Sequence, residues 1–299
     1  MLGWRLGISA VLVPLLLLLF YWDSTLGNGA PALLLFCLFL TIRSAYEVSD
    51  LLKTRSMKPC FELCAVCNVA VVFAAWGHTT LVNSPEGITG LLTSLGLVAA
   101  AIVGSFLLLM LWEGAKYQKP GASMESLGAN LICVLYAGGL LAVIVQFRWF
   151  PDPKIAYFAI GSVIIATKSG DTMAYTFGRL WGKRKMIPRL SPGKTWMGGI
   201  GAMAGSCLGG WLWLKFGGSL FAANPKATTL GCVLGYSATM GVVGLVGDLC
   251  ESLIKRDAEK KDSAKLMPGF GGLLDLLDSP LFAGPVALAW WALWPPAGI

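Results

Sequence analysis

The chain contains 299 residues, of which 56% are hydrophobic and only 13% are charged. A typical soluble domain carries about 25% charged residues, so this composition excludes an ordinary soluble fold and predicts an integral membrane protein. The net charge of +7 does not indicate a nucleic-acid partner, because no nucleic-acid-binding motif accompanies the basic residues; the phosphates of anionic lipids and of nucleotides are better partners.

Nine segments are candidate membrane spans, since a spanning helix needs about 20 mostly apolar residues. The predicted fold class is therefore all-α, a polytopic integral membrane protein with about nine transmembrane helices. The predicted spans are 8–22, 31–47, 61–77, 90–112, 126–147, 155–178, 196–215, 227–254 and 279–295.

The two halves of the chain differ in composition. Residues 1–150 hold about five spans, which are rich in Leu, Val and Ala. Residues 151–299 hold about four spans with more glycines and carboxylates, joined by basic loops. Within this second part, Gly201, Gly205 and Gly209 repeat at a spacing of four, a pattern that predicts close packing between helices.

Lysine and arginine are distributed unevenly between the predicted loops. With the N-terminus outside, the loops after spans 2, 4, 6 and 8 hold 17 of the 23 basic residues. Positive residues favour the inner side of a membrane. The sequence therefore predicts a protein of the cell (inner) membrane with these four loops in the cytoplasm.

The first motif in the second half is RLSPGKT, residues 189–195, whose last letters match those of a nucleotide-binding P-loop. A P-loop requires glycine five positions before Gly193, where this chain has Pro188, which has no N–H to offer. We predict instead a cytoplasmic loop in which Lys194 and the hydroxyls of Ser191 and Thr195 contact an anionic substrate. The alternative is that Lys194 and its basic neighbours are topology signals only.

Charged residues inside the predicted spans are the next signal, because burying one costs at least about 2.5 kcal/mol. Lys168 and Asp171 lie three residues apart in span 6, on one helical face that Tyr175 continues. Both a substrate site and a structural ion pair explain this pattern, and the sequence leaves both open.

The end of span 8 carries a stripe of charged residues. Asp248, Glu251, Lys255 and Arg256 lie at offsets 0, 3, 7 and 8 on nearly one face of a helix. Such a stripe is often a solvated face, but Asp248 follows a long apolar stretch and is expected at membrane depth.

A second pair of carboxylates, Asp275 and Asp278, repeats the three-residue spacing at the start of span 9. Two carboxylate pairs facing a basic loop suggest Mg²⁺ that bridges a polyphosphate, since this ion favours one or two carboxylates plus substrate phosphates.

Two long segments, DTMAYTFGRLWGKRKMIPRLSPGKTWMGG and VGDLCESLIKRDAEKKDSAKLMPGFGGLLDLLDS, carry a resemblance to a known family. Together they resemble the phosphatidate cytidylyltransferases, or CDP-diacylglycerol synthases, over roughly residues 165–285. The resemblance implies transfer of a cytidylyl group from CTP to phosphatidate, giving CDP-diacylglycerol and pyrophosphate for phospholipid synthesis. It also implies that residues 151–299 form the catalytic region and that Mg²⁺ is held by Asp248 and Asp275, with room for a second, monovalent cation.

The candidate site residues that follow from the motifs and the resemblance fall into three groups. The catalytic candidates are Asp248, Asp275, Lys255, Arg256 and Lys194. The substrate-binding candidates are Lys168, Asp171, Tyr175, Ser191, Thr195, Lys261, Asp262, Ser263, Gly271 and Gly272. The metal-binding candidates are Asp248, Asp275, Glu251 and Asp278.

This chain departs from the family pattern at four positions. Phe270 and Leu276 stand where the family usually has His and Arg, and Met173 and Met197 replace a usual Gly and a common Glu. A phosphate monoester is largely ionised at neutral pH, so its attack needs no general base and loss of the His is compatible with activity. Lys168 can supply the positive charge lost with the Arg.

Three other functions fit the same residues. A catalytically impaired paralogue would bind lipid or nucleotide without turnover. A CTP-dependent lipid kinase would release CDP instead of pyrophosphate. A transporter would also carry charges inside its spans, but no inverted repeat is visible. A homodimer is compatible with the sequence.

Overall fold

The computed structural model describes residues 2–27, 29–53, 57–77, 88–121, 123–221, 223, 228–267 and 271–297. Phe270, one of the departures from the family pattern, lies outside these ranges. In the described residues of the first half, the regular secondary structure is helical, and the bounds of the helices are as follows. The α-helices are α1 (Leu2–Thr25), α2 (Pro31–Leu52), α3 (Phe61–Ala74), α4 (Ile88–Lys116), α5 (Ser123–Cys133) and α6 (Leu140–Val145), with a π-helical turn at Val134–Gly139 and a 3-10 turn at Gln146–Trp149.

The described residues of the second half add four long helices and one hairpin. The α-helices are α7 (Pro153–Trp181), α8 (Trp196–Phe216), α9 (Leu230–Asp257) and α10 (Leu274–Leu293), the strands are β1 (Lys185–Ile187) and β2 (Ser191–Thr195), and a 3-10 turn covers Gly217–Phe221. The fold of the described residues is thus all-α apart from this hairpin. Every predicted span overlaps a helical stretch.

Five helical stretches are long and apolar enough to cross a membrane, judged by length and composition over the described residues. They are Pro31–Leu52, Thr89–Lys116, Ser123–Trp149, Leu230–Asp257 and Leu274–Leu293. Their outer faces carry large apolar side chains, such as Phe39, Leu111 and Leu293, which are 60%, 72% and 64% exposed. These features fit a membrane protein.

The chain divides into two compact units. Unit 1 contains residues 1–149 and 254–276, and unit 2 contains residues 150–253 and 277–299. In unit 1 the buried carboxylate of Asp23, a residue of α1, lies at the start of α2. Its Oδ1 atom accepts hydrogen bonds from the N–H groups of Ala32 (2.8 Å) and Leu33 (3.0 Å). These N–H groups have no partner within the helix. Arg148 Nε lies 3.6 Å from the other Asp23 oxygen, so the buried charge is paired.

In unit 2 the glycines of α8 form a seam against α7. A Cβ atom at Gly205 would lie 2.5 Å from the Ser169 carbonyl oxygen, and one at Gly201 would lie 2.6 Å from the Met173 carbonyl oxygen. Only glycine permits so close an approach of the two backbones. The predicted packing role of the glycine repeat is therefore confirmed.

The RLSPGKT segment forms the second strand of the hairpin in unit 2. Antiparallel pairing joins Lys185 to Thr195 and Ile187 to Ser191. Because Gly193 and Lys194 lie within β2 and do not wrap around a helix N-terminus, the exclusion of a P-loop is confirmed. The sequence predicted a loop here without regular structure, and it missed the hairpin.

Candidate active site

Three carboxylates of unit 2 come together at the predicted metal site. One oxygen each from Asp248, Glu251 and Asp278 lies within 4.8 Å of the other two. Asp248 and Glu251 are on one face of α9, and Asp278 lies in the first turns of α10. Glu251 is fully buried and Asp278 is 6% exposed. Like charges so close together and so well buried call for cations.

Lys194 supplies one cation from the hairpin. Its Nζ atom lies 3.0 Å from Asp248 Oδ2 and donates to the Leu245 carbonyl oxygen at 3.2 Å. Lys194 lies in strand β2, and the next residue, Thr195, ends the strand and caps the N-terminus of α8, which begins at Trp196. The hairpin therefore places Lys194 at the edge of the acidic cluster of Asp248, Glu251 and Asp278.

Lys168 supplies a second cation from α7. Its Nζ atom donates to Asp171 Oδ2 at 2.9 Å and to Asp278 Oδ1 at 3.3 Å. Ser279 Oγ donates to the other Asp171 oxygen at 3.2 Å. The two predicted pairs, Lys168 with Asp171 and Asp248 with Glu251, are thus joined through Asp278.

These contacts form one connected set of side chains, which we call the unit 2 network. Its four carboxylates and two ammonium groups carry a formal charge of −2. Its members are Lys168, Asp171, Lys194, Asp248, Glu251 and Asp278.

The donor chemistry of this network fits Mg²⁺. The ion takes oxygen ligands at about 2.1 Å, so opposite ligands of its octahedron lie about 4.2 Å apart and adjacent ligands about 3.0 Å apart. Only one pair among three ligands can be opposite, so the three clustered oxygens, within 4.8 Å of one another, would have to move closer together on binding the ion. Asp248 is 37% exposed at its side chain, which leaves access for a phosphate ligand.

Three substrate-binding candidates lie a few residues from Lys168 or Lys194 in the sequence, but the contacts they make are with residues outside the unit 2 network. Thr195 is buried, and its Oγ1 accepts a hydrogen bond from the Gly198 N–H at 3.1 Å, which caps α8. Tyr175 is exposed, and its hydroxyl accepts from Arg179 at 3.1 Å. Ser191 pairs through its backbone with Ile187 in the hairpin. Their roles toward substrate stay predictions.

Asp275 belongs to unit 1, where four donors surround its carboxylate. Oδ1 accepts from Lys255 Nζ at 2.6 Å. Oδ2 accepts from the N–H groups of Ser263 (2.9 Å) and Gly272 (2.8 Å) and from the Ser263 hydroxyl (2.7 Å). The structure therefore brings together four predicted site residues, Asp275, Lys255, Ser263 and Gly272.

The other candidates of unit 1 lie around this carboxylate or at the surface. Gly271 has a φ of +96°, and a Cβ atom there would overlap Asp275 Oδ2 and approach Asp262 Cβ to 3.3 Å. Arg256, Lys261 and Asp262 are exposed, and Arg256 Nη1 donates to the Lys260 carbonyl oxygen at 3.2 Å. Glycine at position 271 is thus required both by conformation and by space.

One residue that the sequence reasoning missed is Glu47 of α2. It is fully buried, and it accepts hydrogen bonds from residues more than 200 positions away. The available signal was a carboxylate at the end of a predicted span, four residues after Arg43. That spacing indicates a local ion pair and says nothing of the distant partners.

Apolar helices that hold networks of carboxylates and lysines fit a membrane enzyme. A family model described as "Cytidylyltransferase family" matches residues 4–294. This chain belongs to that family, and the resemblance found in its motifs is confirmed at the family level. Family membership supports a nucleotidyltransferase enzyme.

Individual relatives carry a more specific name. This chain is 32% identical over 173 residues to the phosphatidate cytidylyltransferase of Haemophilus influenzae, which covers 58% of this chain and 59% of the relative. It is 35% identical over 176 residues to that of Pseudomonas aeruginosa, covering 58% and 60%. It is 32% identical over 169 residues to that of Chlamydia pneumoniae, covering 55% and 54%. The chain thus spans somewhat more than half the length of these relatives.

Proposed function

We propose that this protein transfers a cytidylyl group from CTP to phosphatidate, giving CDP-diacylglycerol and pyrophosphate. A phosphate oxygen of phosphatidate attacks the α-phosphorus of CTP, a new P–O bond forms, and the bond from the α-phosphorus to the bridging oxygen breaks. The names of the three relatives support this reaction. The unit 2 network, with its formal charge of −2 and two lysines, is the observation that carries the proposal.

Asp248, Glu251 and Asp278 are the residues that would hold Mg²⁺ in unit 2. Bound there, the ion would offset the charge that accumulates on the triphosphate and on the leaving pyrophosphate. The resemblance also implies that Asp275 is a metal ligand. The Asp275→Asn variant tests this role.

The lysines supply positive charge next to these carboxylates. Nucleotidyl transfer depends mainly on positioning and on neutralising phosphate charge. Lys194 on β2 and Lys168 on α7 are held by carboxylates at 3.0 Å and 2.9 Å, and a phosphate can share or replace those partners. No side chain is required to remove a proton, because the attacking phosphate is already ionised.

We further propose that all nine apolar segments cross the cell (inner) membrane and that the loop with the hairpin and the loop 258–273 face the cytoplasm. The overlap of every segment with a helix supports the first point. These two loops and their flanks hold 11 of the 23 basic residues, which supports the second. CTP would then reach the site from the side where it is made.

The decisive test uses the purified full chain in detergent micelles with CTP labelled at the α-phosphate, phosphatidate and Mg²⁺. We expect label in a lipid product and release of pyrophosphate. Release of labelled CDP, with no label in the lipid, would identify a kinase. No turnover would contradict the proposal, and retained binding of CTP would then identify a paralogue that binds without catalysis.

A further inference from the structure

The carboxylate of Glu47 makes four close contacts deep inside unit 1. Oε1 accepts from the Leu273 N–H at 3.0 Å and lies 3.0 Å from Arg43 Nη2. Oε2 accepts from the Ser263 hydroxyl and from the Leu274 N–H, both at 2.9 Å. A carboxylate has about four lone-pair positions, so these contacts saturate it. So complete a set of partners indicates a fixed position.

Two of these contacts fix the start of α10. Leu273 directly precedes the helix and Leu274 begins it. The first N–H groups of a helix have no partner inside it, and a negative charge is favourable at this end. Glu47 therefore serves as a cap that comes from a helix more than 200 residues earlier.

The approach of Glu47 depends on a glycine. A Cβ atom at Gly272 would overlap both Glu47 Oε2 and Ser263 Oγ. The lack of a side chain at Gly272 thus admits the Glu47 carboxylate to the start of α10. This structural role is separate from the substrate-binding role predicted for Gly272.

The Ser263 hydroxyl connects Glu47 to Asp275. Its oxygen lies 2.9 Å from Glu47 Oε2 and 2.7 Å from Asp275 Oδ2, so the two carboxylates share its single O–H. Asp275 also accepts from the N–H groups of Ser263 and Gly272. Three of the four donors to Asp275 therefore belong to two residues close to Glu47. Ser263 contacts Glu47 directly, and Gly272 precedes Leu273, whose N–H donates to Glu47.

We propose that Glu47 is a positioning residue for Asp275: it fixes Ser263 and the first turn of α10, and so sets the orientation of the Asp275 carboxylate toward Lys255. This inference rests on the proposed function, in which Asp275 is needed for turnover. Glu47 itself contacts neither substrate nor metal in this role.

The test compares Glu47→Gln with the wild type in the CTP assay and by hydrogen–deuterium exchange. The amide keeps the size of the side chain but cannot accept hydrogen bonds at both ends. We expect faster exchange of the amides of Ser263, Leu273 and Leu274, with unchanged exchange in α7 and α8. We expect kcat to fall about 10- to 100-fold, as for loss of hydrogen bonds to a charged group, and the Mg²⁺ concentration for half-maximal rate to rise.

Three further variants separate positioning from simple destabilisation. Glu47→Asp retains the charge and should recover part of kcat. Glu47→Gln should add little to Asp275→Asn, because the group to be positioned is already lost. Asp50→Asn is the matched control, since Asp50 lies on the same helix and pairs with Lys260 at 2.8 Å, but is 53% exposed. We expect less than about a twofold change for it.

Each outcome decides the matter. The role of Glu47 would be overturned by a normal kcat per folded molecule in Glu47→Gln, or by unchanged exchange at the start of α10. In either case an active wild type would leave the proposed function standing. Equal losses in Glu47→Gln and Asp50→Asn would also overturn it. A wild type that makes no CDP-diacylglycerol would overturn both proposals together.

Discussion

Lys194 Nζ lies 3.0 Å from Asp248 Oδ2, so a lysine of a short hairpin is paired with a carboxylate of a membrane helix 54 positions later in the sequence. The lysine side chain is only 14% exposed. Because the Asp248 side chain is 37% exposed, the pair is only partly shielded from water, and we expect it to add little more stability than a surface ion pair. The contact connects the SPGKT motif to the acidic cluster and so supports the substrate-binding role proposed for the motif, without P-loop geometry.

Replacing Lys194 tests that role. We expect Lys194→Met to lower kcat/KM by about 10- to 100-fold, since one charge-assisted interaction with a phosphate is lost. Lys194→Arg should retain part of the activity. Lys183→Gln, which removes an exposed lysine of the same loop, is the matched control. Equal activity of Lys194→Met and Lys183→Gln would show that the basic residues serve topology only.

The predicted metal ligands are tested by Asn variants of Asp248 and Asp278 in unit 2 and, separately, of Asp275 in unit 1. Asparagine keeps the size and removes the charge, so folding should persist while turnover falls at least about 100-fold through loss of a charged ligand. A Mg²⁺ titration should show a higher half-maximal concentration for any residual activity. Asp257 is an exposed carboxylate of the same helix as Asp248, and Asp257→Asn should show the same half-maximal Mg²⁺ concentration as the wild type.

The metal assignment has a clear counter-outcome. Near-normal rates at ordinary Mg²⁺ concentration in both Asp248→Asn and Asp275→Asn would contradict it. Loss in the Asp248 and Asp278 variants together with normal rates for Asp275→Asn would confine the metal ligands to the unit 2 network.

The Lys168 pair is tested by comparing a single with a double variant. Lys168→Met leaves Asp171 and Asp278 without their shared cation, so we expect about 1 to 3 kcal/mol of destabilisation and loss of activity. Lys168→Met combined with Asp171→Asn removes one of the uncompensated charges and should recover stability but not activity. Thermal unfolding and the CTP assay measure the two effects separately. Normal turnover by a stable double variant would establish the pair as purely structural.

The glycine seam between α7 and α8 predicts a contrast in stability. Gly205→Ala places a Cβ atom 2.5 Å from a carbonyl oxygen, and overpacking of this kind costs about 1 to 3 kcal/mol. Gly231→Ala, with no atom within 4 Å of the new Cβ, should be neutral or slightly stabilising, since alanine favours helix over glycine. Melting temperatures in detergent check the difference. Equal melting temperatures of the two variants would contradict the prediction, because they would show that α7 and α8 accommodate the added methyl group without loss of stability.

Topology is tested by cysteine substitution at Lys185 and Lys260. Because the basic loops are expected inside, an impermeant thiol reagent should label neither position in intact cells and both after permeabilisation. The wild type, with its own eight cysteines, provides the background. Labelling of either new cysteine in intact cells would reverse the proposed orientation.

The helices could be predicted from sequence because a membrane helix is defined by a local run of apolar residues. Their ends were less predictable, since helices such as α4 and α7 continue into polar residues beyond the apolar run, to Lys116 and Trp181. Pairs on one helix, such as Lys168 with Asp171, could also be predicted, because a spacing of three fixes their proximity.

Contacts between distant helices could not be predicted in the same way. Nothing in the spacing of Lys168 indicates Asp278, 110 positions later, and nothing around Glu47 indicates Ser263, 216 positions later. The hairpin at 185–195 was missed because its strands are short and polar, and their pairing depends on register and not on an apolar pattern.

The order in which the chain is made gives the Lys168 contacts a further meaning. If α7 crosses the membrane as proposed, Asp171 lies one turn from Lys168 on the same helix and can neutralise the lysine as soon as both residues have been made. Asp278 is the 107th residue after Asp171 and is therefore made later. The local pair therefore lowers the cost of placing Lys168 in α7 before α10 is made, and Asp278 of α10 then adds a second carboxylate. On the proposed function, a chain that lacks α10 would hold the Lys168–Asp171 pair and still lack Asp278, one of the candidate metal ligands.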